Sequence, residues 1–190
     1  MTTLAILAGD EIISWHPCWA STRVLDAVPA GGVTLEQVRD ASVDVLPDAD
    51  ACWLLCQWGA RAGFEGRRAV VAWAADQAER VLHLVRESGQ DVCRAAIAAA
   101  RAWVADPTPD RAVRADAAAY AAYDAAADAY AYAADAAGRA AYAASAAYAN
   151  AAATLAAAAG RTARAAYSGD SGAARRDLAD RLIELRRVTP

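Results

Sequence analysis

Apolar and polar positions alternate with a helical period over most of this chain. The clearest run begins after Arg68, where Val70, Ala74, Ala78, Val81, Leu82 and Val85 recur between Asp76, Glu79, Arg80, Arg86 and Glu87. That spacing predicts an amphipathic helix ending at Gly89. Asp91 is placed to cap the next helix, whose buried line is Cys93, Ile97, Ala100 and Val104, with Arg94 and Arg101 turned to solvent. Asp106-Pro107-Thr108-Pro109 ends that helix and opens another, with Thr108 as cap and Pro109 in the first helical position. Upstream, Thr34 and Gln37 have the spacing of a capping box, which predicts a short helix from Leu35 to about Ala41. Pro47 and Asp48 start a further helix with the stripe Trp53 or Leu54, Leu55 and Trp58, stopping near Gly59 or Gly63. From Met1 to Gly32 the pattern fits neither period and is left unassigned. Leu178, Leu182 and Leu185 form the stripe of a last helix that closes the bundle.

Between Ala115 and Ala159, 29 of 45 residues are alanine. Alanine has the highest helix propensity and loses no side-chain entropy, so this tract is helix rather than disordered chain. A single helix of that length would span about 67 Å, too long for a compact domain of this size, and the break is expected near Gly138. On a helical wheel Tyr120, Tyr123 and Tyr130 share one side, joined by Tyr148 and Leu155 if the register carries through the glycine, and Asp124, Asp128, Asp135 and Arg139 share another. The tyrosine side is expected to face the core, with the alanines between the rings letting helix axes lie at the short end of the usual spacing. The fold class that follows is all-α: an alanine-rich helical bundle of about six helices over residues 67–190, with a less regular N-terminal segment carrying short helices over residues 1–66.

Composition sharpens this picture. The chain has 190 residues, enough for one domain with a real core. Of the apolar residues 58 are alanine, so the core must be thin and closely spaced. All 19 basic residues are arginine, which reflects GC-rich coding, as in actinobacteria and their phages, more than it reflects function. The net charge of −4 argues against a general nucleic-acid binder, whose affinity depends on neutralising phosphates. That charge is uneven: residues 1–50 carry eight acids and two arginines, residues 115–159 four and one, and residues 160–190 four and seven. The apolar run from Leu4 to Ala8 has no positive charge before it and Asp10 and Glu11 after it, unlike a secretion signal. Aspartates interrupt the alanine tract, so no membrane span is expected. Cys18, Cys52, Cys56 and Cys93 are read as free thiols of a cytoplasmic protein.

Candidate chemistry is sparse. His16 and Cys18, with Cys52 and Cys56 four residues apart on one helix face, are the residues that could make a tetrahedral zinc site. The apolar setting Cys52-Trp53-Leu54-Leu55-Cys56 favours buried thiols instead, so no metal or other cofactor is expected. His83 is within helical reach of Glu79 or Glu87, and pairing there is favoured over a role as a general base with Cys93 as nucleophile. No phosphate-binding glycine loop, paired-histidine metal helix or nucleophile elbow occurs, and the reading is non-enzymatic. Asp124, Asp128 and Asp135 could form an acidic docking strip, but a solvated face is the plainer account. The arginines from Arg161 to Arg187 read likewise as solvated.

The segments AVVAWAADQAERVLHLVRE, 69–87, and CRAAIAAARAWV, 93–104, resemble the opening of a family of alanine-rich immunity proteins of bacteria and phages. Trp73, Ala74, Ala75, Ala78, Glu79, Arg80, Val81 and Leu82 match its first helix. Arg94, Ala95, Ile97, Ala99, Ala100, Arg101, Ala102 and Trp103 match its second. The likeness extends over roughly residues 69–159, although the acidic turn is reduced to Ser88-Gly89-Gln90-Asp91 and the later histidines of the family are absent. The resemblance implies a protein that neutralises a toxin or effector by protein contact. The partner surface is then sought at Trp15 and Trp19 in the acidic N-terminal third and along Asp124, Asp128 and Asp135. The alternatives are an accessory protein that binds a host defence component or sequesters a small signalling nucleotide, and a structural helical homo-oligomer.

Overall fold

The computed structural model describes residues 6–7, 11–12, 28–29, 31–127, 132–149, 154–155, 158–159, 162 and 171–188. Among them the architecture is all-α, with seven α-helices and one minimal strand pair. Strands β1 (Ile6–Leu7) and β2 (Val33–Thr34) run antiparallel, with Ile6 opposite Thr34 and Leu7 opposite Val33. Helix α1 (Leu35–Asp40) starts on the expected capping box: the Gln37 amide donates to Thr34 Oγ1 at 3.1 Å, and the Thr34 amide donates to Gln37 Oε1 at 2.8 Å. Helices α2 (Asp48–Arg61), α3 (Gly63–Val81), α4 (Glu87–Ala105), α5 (Pro109–Ala127), α6 (Tyr132–Tyr148) and α7 (Ser171–Val188) follow.

Helix α3 is central. It touches α2 and α7 on one side and α4 and α6 on the other, and α4, α5 and α6 pack against one another. Accordingly it is buried nearly all round, through Val70, Val71, Trp73, Ala74, Ala75, Gln77, Ala78 and Val81. The side towards α2 and α7 is filled by large residues: Leu54, Leu55, Leu178 and Leu182 have no exposed surface. The opposite side is built of alanine. Ala112, Ala115, Ala119 and Ala122 of α5 are buried, as are Ala136, Ala137, Ala140, Ala141, Ala143 and Ala144 of α6. Helix α7 also reaches α1 and α2, so the chain end holds the N-terminal helices.

Several boundaries differ from those predicted. Helix α3 starts at Gly63 rather than after Arg68, because Gly63 takes φ +79 and reverses the chain directly out of α2. It ends at Val81 rather than Gly89: a 3₁₀ turn, Leu82–Leu84, and extended Val85 follow, although Leu82 and Val85 are buried as the period required. Helix α4 therefore begins at Glu87, and Asp91 caps nothing; it lies inside the helix and pairs with Arg94 at 2.6 Å. At the next junction the expected cap is present, the Arg111 amide reaching Thr108 Oγ1 at 3.4 Å. The alanine tract does not break at Gly138. Helix α5 ends at Ala127, α6 starts at Tyr132, and Gly138 sits within α6.

Gly138 has a packing role instead. A methyl group there would come within 2.9 Å of the Tyr123 ring and 3.2 Å of the Ala119 carbonyl oxygen, so the missing side chain is what lets α5 and α6 meet. Gly59 and Gly66 do the same for α2 and α3: the obstacle at Gly59 is the Val70 side chain, and at Gly66 it is backbone. A Gly66 methyl would lie on the Gly59 carbonyl oxygen and within 2.9 Å of the Ala62 Cβ. Gly66→Ala is expected to destabilise the protein by about 1–3 kcal/mol despite alanine's better helix propensity. At this chain length the melting temperature should then fall by roughly 2–12 °C. An unchanged melting temperature would mean that the two helices are free to separate.

Candidate functional site

The tyrosine side of the alanine helices faces the core only in part. Among the described residues Tyr123 and the fully buried Leu155 pack inward, as does Tyr142, whereas Tyr120 is 61% exposed and Tyr148 46%, and Tyr130 lies outside the described residues. The cause is the closeness of the helices. Alanine contacts bring the axes of α4, α5 and α6 together, so a phenol ring fits between them only where a glycine leaves room, as Tyr123 does at Gly138, and Tyr120 and Tyr148 lie at the margins. On α5 the outward stripe is Val113, Ala117, Tyr120 and Asp124. On α6, Asp135, Arg139 and Tyr142 follow one another at helical spacing, each half-buried.

These two edges enclose a recess of about 360 Å³ lined by Tyr120, Tyr123, Asp135, Arg139 and Tyr142. Arg139 Nε donates to Asp135 Oδ2 at 2.7 Å, and the guanidinium carbon lies 5.7 Å from the Tyr123 ring centroid. The acidic and aromatic sides that a single wheel kept apart are thus brought together, because the tyrosines come partly from α5 and the ion pair from α6. Tyr142 carried no signal of its own in the sequence; its place three residues after Arg139 and seven after Asp135 is the trace that could have revealed it. Asp124 is exposed beside the recess, and Asp128 lies outside the described residues.

A second hollow, of about 250 Å³, lies between the α2–α3 turn and the end of α7, lined by Trp58, Ala62, Glu65, Gly66, Leu185 and Arg186. Trp15, Trp19, His16 and Cys18 lie outside the described residues. Cys52 and Cys56 are fully buried in α2, and burial, with Cys52 alongside, pushes the Cys56 thiol well above its ordinary range. Burial also raises Cys93. Such thiols stay protonated and are poor nucleophiles or metal ligands. Among the described residues no three histidine, cysteine or acidic side chains gather in a way that could hold a metal ion. His83 is exposed on the 3₁₀ turn, and among the described residues it pairs with neither Glu79 nor Glu87.

Glu79 is instead engaged by Arg101 of α4, as part of an ionic chain across three helices. Arg101 bridges Glu79 at 3.2 Å and Asp76 at 2.9 Å, and Asp76 also meets Arg181 of α7 at 2.8 Å. Burial alone would raise the Asp76 carboxyl, but the hydrogen bonds from Arg101 and Arg181 outweigh it and hold the group below the usual carboxylate range. Not all the C-terminal arginines are solvated as expected. The Arg175 side chain is 8% exposed and meets Asp48, itself 14% exposed, at 3.0 Å. Arg175 sits on the inner face of α7, where a charge is tolerable only beside a counter-charge. No helix among the described residues is long and apolar enough to cross a membrane. Among known proteins, no family model, no curated relative and no solved structure matches the chain.

Proposed function

We propose that this chain is a non-enzymatic binding protein of the immunity type, which neutralises a toxin or effector protein by direct contact through the outer edge of α5 and the recess beside it. The observation that carries the reading is Tyr120, an aromatic side chain left 61% exposed at the mouth of a recess walled by two further tyrosines and an arginine. Tyrosine and arginine dominate the energetics of protein interfaces, and their clustering at a hollow is the arrangement in which a few residues supply most of the binding energy. The remaining chemistry points the same way. Asp76, Glu79, Arg101 and Arg181 are engaged in joining α3 to α4 and α7, and burial raises the thiols of Cys56 and Cys93.

The test is capture from a bacterial host with the full chain as bait and Tyr120→Ala as control. Tyr120 is exposed, so the variant should melt at the same temperature as the parent. The expected result is a protein retained in stoichiometric amount by the parent and lost from the variant. Equal capture by both, or a co-purified ultraviolet-absorbing small molecule with no protein, would overturn the reading, the latter in favour of nucleotide sequestration.

A further inference from the structure

We infer that the recess between α5 and α6 receives an arginine side chain from a basic segment of the partner. The inference rests on the binding function proposed above and names the chemistry of what is bound. The first observation is that the recess already houses a guanidinium. Arg139 lies against the Tyr123 ring at 5.7 Å, the geometry of a cation over an aromatic face. Tyr120 and Tyr142 line the same hollow, and Tyr120 presents an exposed ring at its mouth.

The second observation is the field. Arg139 is neutralised by Asp135 at 2.7 Å, so this pair adds no net charge. Asp116 and Asp124 of α5 remain, and among the described residues neither is paired. Over the described residues of α5 and α6 the acids are Asp110, Asp116, Asp124 and Asp135 and the bases Arg111, Arg114 and Arg139, with Arg111 taken up by Asp106 of the preceding turn, so the balance is acidic. An anionic ligand would therefore enter against the local potential, whereas a cationic one is drawn in. Size narrows the class further. A recess of about 360 Å³ is at the small end of ligand sites, suited to one long side chain rather than a large cofactor. Arginine is favoured over lysine because its planar, weakly hydrated head stacks on tyrosine faces, while an ammonium keeps its water.

The experiment is a binding titration of the full chain with three short labelled peptides of alternating arginine and glycine, lysine and glycine, or glutamate and glycine. The arginine peptide should bind, with an affinity that falls as salt rises. The lysine peptide should bind roughly two- to fivefold more weakly, and the glutamate peptide not at all. Tyr120→Ala should weaken the arginine peptide by roughly two- to fivefold and Tyr120→Phe should leave it unchanged, since the ring face and not the hydroxyl makes the contact. Asp124→Asn should cost about twofold at low salt and less at high salt. Equal affinity for arginine and lysine peptides, indifference to Tyr120→Ala, or binding of the glutamate peptide would overturn the inference. So would self-association of the chain through this face without peptide binding. A captured protein that is lost with Tyr120→Ala but not displaced by the arginine peptide sinks this inference and leaves the binding function standing. Peptide binding with no captured protein does the reverse.

Discussion

Trp73→Ala is expected to remove about 3–5 kcal/mol of stability, a large part of what a domain of this kind possesses. Trp73 is fully buried in the central helix, and its indole nitrogen donates to the Ala174 carbonyl oxygen at 3.0 Å, joining α3 to α7. The substitution opens a cavity that the surrounding helices cannot close and removes the indole hydrogen bond that ties α3 to α7. Trp73→Phe fills most of the volume but makes no such bond, and should cost about 1–2 kcal/mol. Urea denaturation followed by circular dichroism separates the two. If the alanine variant lost less than the phenylalanine one, α7 would not depend on this anchor.

Asp48→Ala is expected to have an effect of similar size for a different reason. It leaves the Arg175 guanidinium buried with the Leu46 carbonyl oxygen, at 3.5 Å, in place of a carboxylate. Removing one member of a buried ion pair costs about 3–5 kcal/mol, most of it the penalty of the stranded charge, whereas an apolar pair of similar volume can match the original. Adding Arg175→Met to Asp48→Ala should therefore recover most of the loss. Equilibrium unfolding of the two single variants and the double variant completes the cycle, and simple additivity would show that the two groups do not act on each other.

Helical elements were legible wherever a local signal fixed them. The Thr34–Gln37 box, the Thr108-Pro109 start and the line Cys93, Ile97, Ala100 are all present as read, because caps and periodicity act over a single turn. The reading failed where a residue's role is set by its neighbour in space. Gly138 looks like a breaker in isolation, and its place is understood only with the Tyr123 ring beside it. Asp91 looks like a cap, but the chain had already turned at Leu82–Leu84. The tyrosines look alike on a wheel, yet Tyr123 packs inward against Gly138 while Tyr120 and Tyr148 are left exposed, because elsewhere in an alanine interface the smallest side chain takes the inside. For the same reason the recess was half legible: Asp135 and Arg139 stood out as charges, but their meeting with Tyr120 and Tyr123 depends on how two helices align. Arg175 is read as solvated with its neighbours although it stands three residues before Leu178 and seven before Leu182, in line with the leucine stripe, whereas Arg176 and Arg187 are exposed.

A face made of repeated methyl groups offers nearly the same fit at successive turns, so an alanine interface alone would allow one rod to slip along another by a helical step. The notch left by Gly138 interrupts that sameness. With the Tyr123 ring seated in it, α5 and α6 have a single axial alignment, and it is this alignment that brings Tyr120 and Arg139 to the same hollow. A side chain at position 138 would act at a distance on the proposed binding surface, scrambling it while leaving the helix content of the protein almost as it was.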